Sequence, residues 1–296
     1  MSKKIVIAGG TGFIGTYLEQ GYKALGYEVI VVSRQPGHTG WDEPGKITEA
    51  LEGAELLVNL AGKSVNCRYH RRNREAIVSS RTETTRILGD SVSACRKPPR
   101  LWINASTATI YRHADDRPMT ETGGELGTGF SVEVAKAWEK AFFAYALPGT
   151  RQVALRLAIV LGDGGVMTPY RHLVRFGLGG AQGSGGQRFS WIHVEDVFRI
   201  VRFLEQKDEL SGVFNASSPD PVTNREFMRI LRHALNRSIG LPAPRWMLEI
   251  GALAIRTETE LILKSRWVLP ERLTSEGYAF AYPGLDTALR AIVRGQ

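Results

Sequence analysis

KIVIAGGTGFIG, residues 4–15, decides the fold. After Lys4 the run Ile5–Ala8 is apolar without alternation, which marks a strand covered on both faces. The turn that follows carries two overlapping glycine spacings. Gly10, Gly12 and Gly15 fit Gly-x-Gly-x-x-Gly, and Gly9, Gly12 and Gly15 fit Gly-x-x-Gly-x-x-Gly. Glycines there permit a tight turn and let backbone approach a pyrophosphate. The helix that starts beyond them offers free N–H groups and the positive end of its dipole. A glycine pattern alone is weak, but between a strand and a helix it points to a dinucleotide. The candidate cofactor contacts in this loop are Gly9, Thr11, Gly12, Phe13, Ile14 and Gly15.

The pattern repeats outward. EVIVVS (28–33), ELLVNLA (55–61), RLWINAS (100–106) and RQVALRLAIVL (151–161) read as further strands. Helical segments run to about residue 25, over 70–95 and over 130–143. Buried strands alternating with helices give a parallel sheet covered on both sides, a doubly wound α/β fold of the Rossmann kind. After residue 161 the pattern changes. GLGGAQGSGGQ (177–187) is a glycine-dense loop, RFSWIHVEDVFRIVRFL returns to a strand-like turn and a helix, and from about 218 the chain reads as helical. We expect a dinucleotide-binding domain over 1–165 and 188–217. A smaller, mostly helical C-terminal lobe, 166–187 and 218–296, would face it across a substrate cleft.

Of 296 residues, only two are cysteines, Cys67 and Cys95, with neither metal-ligand nor disulfide-framework spacing. The N-terminal apolar run breaks at glycines too early for a signal peptide. WMLEIGALAI (246–255) carries Glu249 and is too short to span a bilayer. These features predict a soluble, cytoplasmic protein with no membrane partner. The net charge of +8 is compatible with nucleic acid, but no zinc-finger spacing or aromatic RNA-binding motif accompanies it, and we expect no nucleic-acid partner. Its densest basic run, HRRNREAIVSSR (70–81), reads as a solvated helix face or as a stretch near an anionic ligand.

The second strand ends in Ser33 and Arg34, where a cofactor with a free ribose 2′-hydroxyl usually meets an acid. Arginine suits a 2′-phosphate, so NADP(H) is expected over NAD(H). The third strand ends NLAG (59–62). Its small turn, Leu60, Ala61 and Gly62, lets backbone pass close to the adenosine side.

These stretches, with ASTATIYR (105–112) and WIHVEDV (191–197), resemble the short-chain dehydrogenase/reductase superfamily in its extended, epimerase-like branch. The SR after the second strand, the GF…WE pattern at 129–139 and the tail RWVLPERL…GYAFAYPGLDTAL resemble a subgroup of epimerase-like proteins of uncertain activity. The resemblance spans the chain. It implies an oxidoreductase or epimerase in which a Ser or Thr after the fourth strand holds the reacting oxygen, here Thr107 with Ser106 beside it. It also implies Tyr-x-x-x-Lys-x-x-x-Glu on the helix over 130–143. Placing Glu139 on the glutamate puts Ser131 and Ala135 on the other two, and no tyrosine in the chain has lysine four residues on. Without that acid, about 10²–10⁴ in rate must come from elsewhere. The candidates are Glu133, Tyr111 and a water held by Thr107, with Lys136 available for proton transfer or to hold the ribose.

At the substrate end, the polar loop 112–129 and the 177–187 loop are expected over the cleft. In the related epimerases a basic residue near Arg188 binds a nucleotide-sugar phosphate. His193 reads as packed, Asp196 as ordering a helix start or pairing with a base, and Arg156 as pointing into a polar pocket. The expected function is an NADP(H)-binding oxidoreductase acting on a small polar carbonyl or hydroxyl substrate, with a nucleotide sugar implied by resemblance alone. The rival is a non-catalytic NADP(H) redox sensor, which needs the glycine loop and Arg34 but no tyrosine. Dimers through the helices at 70–95 and 130–147 are expected by analogy.

Overall fold

The computed structural model describes residues 3–254, 258 and 260–295. Residues 1–2, 255–257, 259 and 296, which the sequence reading placed in the N-terminal run and in the second lobe, lie outside the described residues.

The chain begins β1 (Lys4–Ala8), α1 (Phe13–Ala24), β2 (Glu28–Val32), α2 (Pro44–Leu51), β3 (Leu56–Asn59), α3 (Arg71–Ala94), β4 (Leu101–Thr107), α4 (Phe130–Phe142) and β5 (Arg151–Leu157). It continues with β6 (Ile159–Leu161), α5 (Met167–Arg175), β7 (Arg188–Phe189), β8 (Trp191–His193), α6 (Val194–Gln206), β9 (Gly212–Ala216), β10 (Val222–Thr223) and α7 (Asn224–Ala234). The last helices are α8 (Arg245–Ala254), α9 (Glu260–Leu263), α10 (Glu271–Ser275) and α11 (Leu285–Arg294). None of the described helices is long and apolar enough to cross a membrane.

Six strands form one parallel sheet in the order β2-β1-β3-β4-β5-β9. Side chains alternate across it. Ile5 and Ile7 pack with Leu18 and Tyr22 of α1 and Ile200 of α6, whereas Val6 and Ala8 pack with Ile47 of α2, Leu88 of α3 and Phe142 of α4. This is the doubly wound α/β sheet expected. The strand order reverses between β1 and β3, so the crevice for a ligand opens at their carboxyl ends, where Gly9 and Leu60 stand.

Two details differ from the sequence reading. RQVALRLAIVL is two strands: β5 stays in the sheet, while β6 leaves it to pair with β8. The break falls at Ala158, whose N–H bonds Ala216 O at 2.9 Å, while the next N–H, of Ile159, turns to Ser190 O at 3.2 Å. GVFNA (212–216), to which the sequence reading assigns no element, is the edge strand β9. Its apolar content is too short to signal a strand without β5 beside it. A separate core joins Met167, Trp191, Phe227, Leu231 and Leu289. The cores also cross the boundary read from the sequence, since Leu273 and Tyr278 of the tail are buried against the main sheet while Leu161 and Trp191 belong to the second core.

Candidate functional site

The glycine loop is shaped by close approach. Gly9 has φ +75°, and a Cβ there would lie 2.7 Å from Ala61 N. A Cβ on Gly15 would lie 2.5 Å from Gly10 Cα. These two glycines are fixed by the protein's own packing. Gly12 is not, because its nearest neighbour would be Gly9 O at 3.7 Å. Gly12 is exposed and forms the N-cap of α1, with no side-chain cap and no acid in the first turn. The first-turn N–H groups of α1 therefore face outward past a residue that keeps the approach open. That is the donor set a pyrophosphate needs, so the residues present fit a dinucleotide.

At the end of β2 the Thr11 and Ser33 hydroxyls hydrogen-bond at 3.2 Å, and Ser33 Oγ accepts from Gln35 N–H at 3.1 Å. Arg34 is exposed beside them. The NLAG turn is held by buried Asn59, whose Oδ1 accepts from Ala61 N–H at 3.0 Å and whose Nδ2 donates to Asn104 Oδ1 at 2.6 Å. Ala61 packs on Gly9, and Gly62 lies against the Arg81 guanidinium.

A cavity of about 480 Å³ joins this loop to the ends of β3, β4 and β5. It is lined by Gly9, Gly12, Phe13, Ile14, Gly15 and Leu60 on one side, and by Ser106, Thr107, Ser131, Ala135, Trp138 and Leu157 on the other. Of the expected cofactor contacts, Thr11, Ser33, Arg34, Ala61 and Gly62 lie outside this lining. Thr107 Oγ1 accepts from Thr109 N–H at 3.1 Å, which leaves its own proton available to donate. Ser106 is engaged elsewhere, donating to Glu139 Oε1 at 2.6 Å.

The expectations for α4 are corrected. Ser131, Val134, Ala135 and Trp138, spaced three and four apart, face the cavity. Glu133 and Lys136 stand on another stripe and do not line it. Lys136 Nζ donates to Gly127 O at 3.1 Å and to Glu133 Oε1 at 3.3 Å, and the Glu133 side chain is 64% exposed. Neither is placed to move a proton in the cavity or to hold a ribose there. Glu139 is structural: both its oxygens accept from Arg156, at 2.8 Å each, in a buried pair. That pair is the polar pocket expected for Arg156. Tyr111 packs in the same network, accepting from Arg156 Nη1 and donating to Asn215 Oδ1, both at 2.9 Å.

The loops at 112–129 and 177–187 contribute nothing to the lining. The first is tied to itself by Arg112 and Arg117 pairing with Glu125, and the second pairs along Ala243. Arg188 lies over the Trp267 ring at 4.4 Å. His193 caps α6 and packs against the tilted ring of Tyr282, with ring centroids 4.0 Å apart. Among the described residues, Asp196 takes no base as partner. It accepts from the Tyr278 hydroxyl at 2.9 Å and from the Ala281 and Tyr282 N–H groups at 2.8 and 2.9 Å.

The sequence reading did not single out every polar residue of the cavity. Tyr69 and Arg81 both line the wall. The Tyr69 ring meets Phe130 edge-on at 4.8 Å, and its N–H bonds Glu258 at 2.8 Å. Burial pushes the phenol pKa above its usual 10, with the neighbouring Ser131 hydroxyl acting in the opposite direction. Most other tyrosines are committed to structure: Tyr17 to Glu195, Tyr22 and Tyr27 to Glu205, Tyr111 to Asn215, Tyr145 to Asp90 and Tyr278 to Asp196. Tyr170 is buried in the second core and Tyr282 lies on His193. Tyr69 is the tyrosine the fold brings to the cavity. No spacing announces it, because it comes from the segment before α3 and not from α4.

Residues 5–217 match the NAD dependent epimerase/dehydratase family, and residues 243–292 match a domain of unknown function, DUF1731. The human epimerase family protein SDR39U1 is 34% identical over 98% of this chain and 99% of its own length. The crystal structure of human SDR39U1 (isoform 2) with NADPH superimposes with a TM-score of 0.89 at 31% identity, covering 99% of this chain and all of that one. A nucleoside-diphosphate sugar epimerase from Corynebacterium glutamicum superimposes at 0.79 with 28% identity over 99% of this chain, which spans 58% of that longer protein. With its glycine loop, switch-point crevice and six-stranded sheet, the chain belongs to the NAD dependent epimerase/dehydratase family.

Proposed function

We propose that this protein binds NADP(H) and, on a small substrate held in the cavity, reduces a carbonyl group with NADPH or oxidises the matching hydroxyl with NADP⁺. The observation that carries the reading is continuity: one cavity runs from the uncapped N-terminus of α1 to the Thr107 hydroxyl. The presence of NADPH in the human SDR39U1 structure supports the choice of cofactor, as does Arg34 beside Ser33 at the end of β2. The first-turn N–H groups of Phe13, Ile14 and Gly15 would hold the pyrophosphate, and Arg34 and Ser33 the 2′-phosphate.

When bound, the cofactor supplies hydride chemistry. The chain supplies position and a proton. Thr107 already accepts from Thr109 N–H, so its own proton is directed to a substrate oxygen. Tyr69, with a raised pKa, is protonated at neutral pH and is the donor to that oxygen. Trp138, Ile77, Val134 and Leu157 exclude water around both. The loss of the tyrosine and lysine positions to Ser131 and Ala135 favours the sensor reading, but Thr107 and Tyr69 restore a hydroxyl pair on the same cavity.

The test loads the protein with nicotinamide-deuterated NADPH, adds a small-molecule cell extract, and follows deuterium by mass spectrometry. Transfer into a metabolite is expected, slowed about 10²-fold or more in Tyr69→Phe and in Thr107→Val. Tight NADPH binding with no transfer would replace the enzyme by the sensor.

A further inference from the structure

The basic run at 70–81 ends in an arginine unlike those before it. Arg71, Arg72 and Arg74 are exposed, whereas Arg81 turns inward, lines the cavity and lies over the Trp138 ring at 5.0 Å. Its Nη1 donates to Lys63 O at 3.1 Å and Ile77 O at 3.0 Å. Both acceptors are neutral carbonyls. Nε and Nη2 make no hydrogen bond with any described residue, and no described carboxylate pairs with Arg81.

Arg156, Arg202 and Arg171 are paired with carboxylates, of Glu139, Glu205 and Asp163, while Arg232 and Arg272, like Arg81, donate to backbone carbonyls. A partly buried cation without an anion is costly. The chain nevertheless makes room for it, since a Cβ on Gly62 would lie 2.9 Å from Arg81 Cζ. Burial lowers the guanidinium pKa to about 10, so it is still charged at neutral pH. The wall around it is otherwise largely apolar, with Val65, Ile77, Val134 and Trp138.

We propose that Arg81 anchors a carboxylate of the substrate, and that the substrate is a small carboxylic acid with an apolar body. The inference rests on the reading that this cavity takes the substrate. The edge left on the guanidinium, Nε with Nη2, is the fork that matches two carboxylate oxygens side by side. One cation among apolar residues balances one negative charge. A phosphate dianion would leave charge uncompensated there, and a nucleoside diphosphate more so.

Cinnamate, its neutral amide cinnamamide, and phenyl phosphate serve as probes, titrated by tryptophan fluorescence into the protein with and without saturating NADPH. NADPH is titrated separately, so failure of the cofactor reading shows in its own curve. We expect cinnamate to bind at least 10-fold tighter than cinnamamide and tighter than phenyl phosphate. Arg81→Met abolishes the preference and leaves NADPH affinity within about 2-fold. Equal binding of acid and amide, a preference that survives Arg81→Met, or tighter binding of phenyl phosphate overturns the proposal. So does a variant that loses NADPH affinity in place of the carboxylate preference, which would assign the guanidinium to the cofactor. If Arg81→Met does not fold, the acid-to-amide ratio of the wild type decides, with Arg81→Lys, which keeps the charge and loses the fork, expected to lower it.

Discussion

His193 shows how a residue's role follows from its surroundings. Its Nδ1 accepts from Glu195 N–H at 3.1 Å, the residue is 3% exposed, and Nε2 has no hydrogen-bond partner among the described residues. Burial draws its pKa down to about 4, with Asp196 acting in the opposite direction. Between the ordinary value of 6.5 and 4, the unfolded chain takes up a proton that the folded protein refuses. Stability from this group is therefore full above pH 6.5 and is lost as pH falls toward 4, by about 3 kcal/mol in all. Asparagine can keep the helix cap without titrating. Urea unfolding should show a fall between pH 6.5 and 4 that is about 3 kcal/mol larger in the wild type than in His193→Asn. Parallel curves would show that His193 is not neutral in the fold. The packed reading of His193 was legible in the apolar residues around it. Tyr69 was not, because what marks it is the cavity it reaches.

At the scale of elements, local signals were legible and facing was not. The glycine loop could be read because the strand, turn and helix that give it meaning are contiguous. Helix α4 could be read as a helix, but which stripe meets the cavity depends on where β4 and α3 lie, and Glu133 and Lys136 fell on the wrong one. The glycines of the loop also separate into two kinds. Alanine at Gly15 would press on Gly10 backbone at 2.5 Å, and a cost of about 1–3 kcal/mol is expected. Alanine at Gly12 meets only an ordinary contact, with Gly9 O at 3.7 Å, at a compatible φ of −86°, so stability should stay within about 1 kcal/mol, the weaker cap being offset by a stiffer unfolded chain. NADPH affinity should nevertheless fall at least 10-fold in Gly12→Ala. Thermal melts and a fluorescence titration check both, and a Gly12→Ala protein that binds NADPH normally would remove the cradle from the account.

In the whole molecule, the parallel sheet was legible because buried strands carry their own apolar signature. The edge strand β9 and the division of the cores were not, since both depend on contacts made far along the chain. Leu273 and Tyr278 pack on the main sheet, and Asp196 ties Tyr278, Ala281 and Tyr282 to the start of α6. The tail is thereby part of the cofactor-binding body as well as of the second lobe. This arrangement leaves the crevice at β1 and β3 continuous with the cavity that holds Thr107, Tyr69 and Arg81. The most direct test is a crystal structure of the protein with NADPH. The pyrophosphate is expected at the N–H groups of Phe13, Ile14 and Gly15, the 2′-phosphate beside Ser33 and Arg34, and the nicotinamide inside the cavity with Thr107 and Tyr69 on its free side. A nicotinamide outside that cavity, or a pyrophosphate away from α1, would contradict this placement.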